Sequence, residues 1–76
     1  MILEVKEELY NGCNLRAICD VDDTGKKWYS WQAYQQGKLL FQDHNQIDGT
    51  PGFQSTSHAL NDAKKNIDSL IRTGSL

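Results

Sequence analysis

Between Val21 and His44 the chain reads VDDTGKKWYSWQAYQQGKLLFQDH, two alternating runs, each entered through a turn that ends in glycine, Gly25 and Gly37. Both tryptophans, two of the three tyrosines and one of the two phenylalanines lie in this stretch. Aromatics on alternating positions suit a β-hairpin, because successive strand side chains point to opposite faces. One face then supplies burial, and the other is left carrying aromatic and basic groups.

Residues 1–21 hold two further runs around Asn11-Gly12. Leu3, Val5 and Leu9 share one parity, interrupted by Glu7. Cys13, Leu15, Ala17, Cys19 and Val21 then alternate with Asn14, Arg16, Asp20 and Asp22, and Ile18 alone breaks the polar side. Suppose that each glycine closes a three-residue loop: Tyr10-Asn11-Gly12, Asp23-Thr24-Gly25 and Gln35-Gln36-Gly37. Leu9 then pairs with Cys13, Val5 with Ala17, Leu3 with Cys19, Cys19 with Tyr29, Ala17 with Trp31, Ala33 with Leu39 and Trp31 with Phe41. Under this assumption the apolar positions of all four strands share a face, whereas two-residue loops would scatter them over both. The expectation is a four-stranded antiparallel meander.

The polar stretch HNQIDGTPGFQS follows, with turn signals at Asp48-Gly49 and Thr50-Pro51-Gly52. It reads as a crossing from the sheet edge to a helix, with Ile47 and Phe53 tucked beneath. Beyond it, Leu60, Ala63, Ile67, Leu70 and Ile71 recur at three- and four-residue spacings. Ser55, Thr56 or Ser57 can cap this helix and Gly74 can end it. Its apolar stripe needs the sheet to cover it, which predicts an α+β fold (ββββα) and one domain over residues 1–76.

A chain of 76 residues encloses one small core. No apolar run reaches the ~20 residues of a membrane span, and MILEVKEE lacks the basic n-region and long apolar core expected of a signal peptide. These features predict a soluble, unprocessed, cytoplasmic protein. A net charge of −2 is not that of a general polyanion binder.

Residue types that carry chemistry have structural readings here. Cys13 and Cys19 share a strand and a parity, roughly 20 Å apart, too far for a disulfide or a shared metal; both read as reduced core residues, and no metal or cofactor is expected. Asp20, Asp22 and Asp23 lack calcium-loop spacing and read as turn formers. Glu7 falls on the apolar face opposite Leu15, where it needs a bulge, a frayed end, or a partner such as Lys64 or Arg72. His44 and His58 have no nucleophile beside them. An enzyme is not expected.

The face turned away from the helix is expected to carry Ile2, Glu4, Lys6, Asn14, Arg16, Ile18, Trp28, Ser30, Gln32, Tyr34, Lys38, Leu40 and Gln42. Aromatic and aliphatic groups among arginine and amides form the composition of binding hot spots. The candidate site is therefore Ile18, Trp28, Tyr34 and Leu40 as apolar anchors, with Arg16, Gln32 and Lys38 orienting a partner and the 44–54 loop at the rim. The function expected is non-enzymatic protein–protein binding: a regulator, an accessory subunit or an inhibitor, including the kind of short phage-borne inhibitor aimed at host defence. Nucleic-acid recognition and a symmetric homodimer through the same face are the alternatives.

Over about residues 14–72, strands followed by a helix with Phe53-x-Ser55, Ala59 and Ala63 loosely resemble plant AP2-type DNA-binding domains and the arm-binding domains of phage integrases. The resemblance implies a sheet face laid in the major groove. Those sheets are strongly basic, whereas Arg16, Lys38 and Lys6 here are offset by Glu4, Asp20 and Asp22, and no residue roles are carried over.

Overall fold

The computed structural model describes residues 1–42 and 52–75, with Phe41 described in its backbone alone. Strands β1 (Ile2–Tyr10), β2 (Cys13–Val21), β3 (Lys27–Gln35) and β4 (Lys38–Gln42) form one antiparallel sheet in chain order, and helix α1 (Thr56–Arg72) follows. The ββββα architecture is the one expected. The 44–51 part of the expected loop, with His44 and Ile47, lies outside the described residues.

The central hairpin has the expected register. Cys19 faces Tyr29, Ala17 faces Trp31 and Asp20 faces Trp28. Asp22 N–H donates to the Lys26 carbonyl at 3.0 Å, enclosing the three-residue loop Asp23-Thr24-Gly25.

The flanking hairpins differ from expectation. Tyr10 pairs with Cys13 and Gln35 with Lys38, so Asn11-Gly12 and Gln36-Gly37 are two-residue loops. All four of these residues have positive φ (49°, 81°, 52° and 78°). That conformation belongs to a type I′ turn, whose twist matches the strands it joins and which Asn-Gly favours. Turn chemistry thereby overrode the parity pattern.

The one-residue slip turns β1 over. Val5 now faces Ile18, Glu7 faces Arg16 and Leu9 faces Asn14, all on the side away from α1. The expected placement of Leu3, Val5 and Leu9 in the core is overturned: they are 49%, 48% and 70% exposed. Glu4 and Lys6, expected on the outer face, reach the helix instead. Thr56 Oγ1 donates to Glu4 at 2.5 Å, Lys6 Nζ donates to Ser57 Oγ at 3.4 Å, Lys64 pairs with Glu8 at 2.5 Å, and Tyr10 Oη donates to Asp68 at 2.8 Å. The flank of α1 above β1 is polar, so the polar parity of β1 is the one that finds partners there.

In β4 the two-residue turn puts Leu39 opposite Tyr34 on the outer face. A bulge at the next residue then brings Phe41 opposite Ala33. Leu40 is the extra residue and packs against the core.

That core is Cys13, Leu15, Ala17 and Cys19 from β2, Trp31 and Ala33 from β3, and Ala59, Leu60, Ala63 and Ile67 from α1. Both cysteines are free and buried. Tyr10 and Phe53 close its margins. Small residues on both surfaces let the helix lie close over β2 and β3. Trp31 Nε1 donates to Asp62 on α1 at 3.0 Å, which satisfies the one polar atom of the largest core side chain. Of the stripe expected on the helix, Ile71 is exposed and Ala59 takes its place in the core.

The helix ends are set locally. Ser55 is the N-cap, its Oγ accepting from His58 N–H at 3.0 Å. At the C-terminus Gly74 (φ 76°) turns the chain so that its N–H reaches the Ile71 carbonyl and Ser75 N–H reaches that of Leu70. This is a Schellman motif, and it satisfies carbonyls that the helix leaves open. No described helix is long and apolar enough to cross a membrane.

Candidate functional site

The pairing register orders the outer face into rows running across the strands. Nearest the Asn11-Gly12 turn come Leu9, Asn14, Tyr34 and Leu39. Next is Glu7, Arg16, Gln32 and Gln42; then Val5, Ile18 and Ser30; then Ile2, Asp20 and Trp28. A polar stripe thus separates two apolar groups, Leu9–Tyr34–Leu39 on one side and Ile2–Val5–Ile18–Trp28 on the other.

The stripe is internally satisfied. Arg16 Nη2 and Nε lie 3.0 and 3.2 Å from Glu7 Oε1, and its guanidinium sits 5.9 Å from the Tyr34 ring centre. Tyr34 Oη donates to Gln32 Oε1 at 2.9 Å. Glu7 is therefore paired on the outer face, not placed opposite Leu15. An open depression of about 470 Å³ lies here, lined by Glu7, Asn14, Leu15, Arg16, Tyr34 and Gly37.

At the other end Trp28 is held from its own hairpin turn. Its Nε1 donates to Asp22 Oδ2 at 3.4 Å, and Lys26 Nζ stands 4.3 Å from the ring centre, a cation–π distance. Asp22 Oδ1 also accepts from Thr24 Oγ1, Thr24 N–H and Lys26 N–H at 2.6, 2.9 and 3.0 Å. These bonds, the Thr24 hydroxyl foremost, lower its pKa to about 2. Asp20 accepts from the N-terminal ammonium at 2.8 Å, which lowers its pKa as well. Ile2, Ile18, Asp20, Trp28 and Ser30 line a second open depression, of about 410 Å³.

Arg16, Ile18, Trp28, Gln32 and Tyr34 lie together on this face as expected. Lys38 and Leu40 do not. Leu40 follows outward Leu39 on the opposite parity and packs on the core, and Lys38 pairs with Gln35, whose parity is that of buried Ala33. Both corrections follow from the two-residue turn at Gln36-Gly37. That turn also brought in Leu39, and the two-residue turn at Asn11-Gly12 brought in Val5, Glu7 and Leu9, all four of which parity reasoning had assigned elsewhere. Asn-Gly between alternating runs was the signal that could have found the last three of them.

Among the described residues no group of three or more His, Cys, Asp or Glu side chains could hold a metal ion. His58 serves the helix start, its Nδ1 accepting from Gln54 N–H at 3.2 Å and its ring meeting Phe53 edge-on at 5.1 Å. Comparison with family models, with curated proteins and with solved structures returned no match.

Proposed function

We propose that this chain is a non-enzymatic binding protein that docks a protein partner on the outer face of its sheet, as a regulator, accessory subunit or inhibitor of a larger complex. The observation that carries this reading is the apolar content of that face. Ile2, Val5, Leu9 and Leu39 are exposed, and half-buried Ile18, Trp28 and Tyr34 lie among them. A sheet wet on one side is ordinarily polar there, and clustered apolar exposure on a small protein marks an interaction surface. Trp28 and Tyr34 are the residue types that dominate interface energetics, and each is pre-positioned by a hydrogen bond. The Glu7–Arg16 pair gives the patch a polar centre that sets orientation. Two free cysteines are in keeping with a cytoplasmic setting.

Nucleic-acid recognition by the same face has weaker support. Arg16 is the face's one arginine and is neutralised by Glu7, while Asp20 and Asp22 flank Trp28. Phosphate binding needs cations free to replace counterions.

The test compares the wild type with a Trp28→Ala/Tyr34→Ala variant as immobilised baits in extract of the source cells, with Lys65→Ala on the outer side of α1 as control. The reading expects a partner retained by wild type and control and lost from the double variant. Equal retention by a double variant that is still folded by circular dichroism sinks it. Following Trp28 fluorescence during oligonucleotide titration at low and moderate salt should give a flat trace; salt-sensitive quenching would favour the nucleic-acid alternative.

A further inference from the structure

The first strand leaves an unusually open flank. β1 is a sheet edge of nine residues without proline, and every residue in it except Glu8 and Tyr10 is exposed. Helix α1 lies mainly over β2 and β3 and meets β1 through side-chain contacts of Thr56, Ser57, Lys64 and Asp68 with Glu4, Lys6, Glu8 and Tyr10. The opposite edge, β4, is five residues long and bulged. Long bare edges are templates for further strand pairing, and proteins normally shorten, bend or cover them.

Ladder geometry says which groups are open. A two-residue turn is closed by a hydrogen-bonded pair, Tyr10 with Cys13, and such pairs alternate along an antiparallel ladder. Tyr10, Glu8, Lys6 and Glu4 therefore spend their backbone groups on β2. The N–H and C=O of Val5, Glu7 and Leu9 point out of the sheet. Past Glu4 the register shift at Ile2/Glu4 breaks the series.

We propose that this edge pairs with β1 of a second copy, antiparallel, about a two-fold axis at Glu7. Val5 then lies opposite Leu9 of the other copy, Glu7 opposite Glu7, and Leu9 opposite Val5. All three open residues make both backbone bonds. On the helix side the same register sets Lys6 opposite Glu8 of the other copy, twice over by symmetry. On the outer side it sets Val5 against Leu9, also twice. Shifting the axis to Lys6 places Lys6 against Lys6 and Glu4 against Glu8. Shifting it to Glu8 places Glu8 against itself and leaves Val5 unpaired. The charge sequence Lys6-Glu7-Glu8 thus complements itself in this register and opposes the neighbouring ones, because like charges directly across a ladder are unfavourable. The central Glu7 pair is the one repulsive contact, and each Glu7 keeps its own Arg16 at 3.0 Å. The product is a continuous eight-stranded sheet with both helices on one side. It uses the strand edge and leaves the outer face available, so it is independent of the binding role proposed above.

Sedimentation velocity from low micromolar to near-millimolar concentration is the test. A concentration-dependent dimer is expected. Val5→Pro removes only an outward N–H and should leave a folded monomer. Lys6→Glu should raise the dimer dissociation constant about tenfold, as symmetry turns two attractive pairs into repulsive ones. Adding Glu8→Lys to it should restore association. Glu7→Cys should form a disulfide-linked dimer under mild oxidation, since residues at a two-fold hydrogen-bonded pair sit ~5.5 Å apart and the native thiols are buried. A monomer at every concentration, with no crosslink at Glu7→Cys, overturns the proposal. A dimer indifferent to Val5→Pro and to the charge reversals also overturns it, and would place self-association on the outer face.

Discussion

At the scale of single residues, the outer face is organised by two acidic side chains. Glu7 neutralises Arg16 and fixes it beside Tyr34, and Asp22 gathers the second turn and steadies Trp28. Asp22 has a pH consequence whose sign is definite. Its pKa falls from 3.8 to about 2 on folding, so between those values the unfolded chain binds the proton that the folded chain refuses. Its stabilisation is complete above about pH 4 and is lost as pH falls toward 2. The expected outcome is a urea midpoint that drops across this window, with a shallower drop in Asp22→Asn. Trp28 emission should shift over the same window in the wild type alone, since the Asp22 carboxylate is what accepts its indole N–H. An unchanged slope in Asp22→Asn would show that the turn bonds do not carry this effect.

At the scale of elements, short local signals set each boundary. Asn11-Gly12 decided the β1–β2 register, and with it which half of β1 meets the helix. Lengthening that turn by one residue to recover the three-residue loop would drive Leu3, Val5 and Leu9 toward the helix side. It would also strip Glu8 and Tyr10 of Lys64 and Asp68. Ser55 Oγ caps the first turn of α1 by accepting from His58 N–H, and that turn holds no acidic residue to compensate. Ser55→Ala should therefore cost about 1 kcal/mol, read as a lower urea midpoint at unchanged m-value. Ser57→Ala, which loses only the long contact from Lys6, should cost less than half of that.

At the scale of the whole molecule, stability rests on a thin core. Among the described residues the fully buried side chains of greatest volume are Leu15, Ile67 and Cys13, and four of the ten buried apolar residues are alanines. A sheet and a helix lined with alanine approach closely, which leaves little room for a cavity to be refilled by neighbours. Ile67→Ala is expected to cost 2–5 kcal/mol, on the order of the ~3–5 kcal/mol that a core in a chain this short supplies. Thermal denaturation should show a variant largely unfolded at room temperature or close to it. A loss of under ~1 kcal/mol would mean that the helix repacks over the sheet. Ile71→Ala, on the exposed side of the last turn, should change stability little by comparison.

Four strands, one helix, their order, the Gly74 stop and the central hairpin register were legible in the chain, with Ser55 one of three adjacent cap candidates, because each rests on local periodicity, turn residues or capping chemistry. Arg16, Ile18, Trp28, Gln32 and Tyr34 were legible on the outer face for the same reason, since they belong to the hairpin whose three-residue loop was read correctly. The flanking strands were not. Hydrophobic parity put Leu3, Val5 and Leu9 in the core and Leu40 outside it, but parity says only that two faces differ, not which of them meets the helix. That choice belonged to the tertiary structure. The strained positive-φ turns needed two residues, the polar flank of α1 offered Lys64, Asp68 and Thr56 to the other half of β1, and the Gln36-Gly37 turn put Leu40 on the core face. The apolar half of β1 was left on the surface, and the face and edge proposed for binding are its consequence.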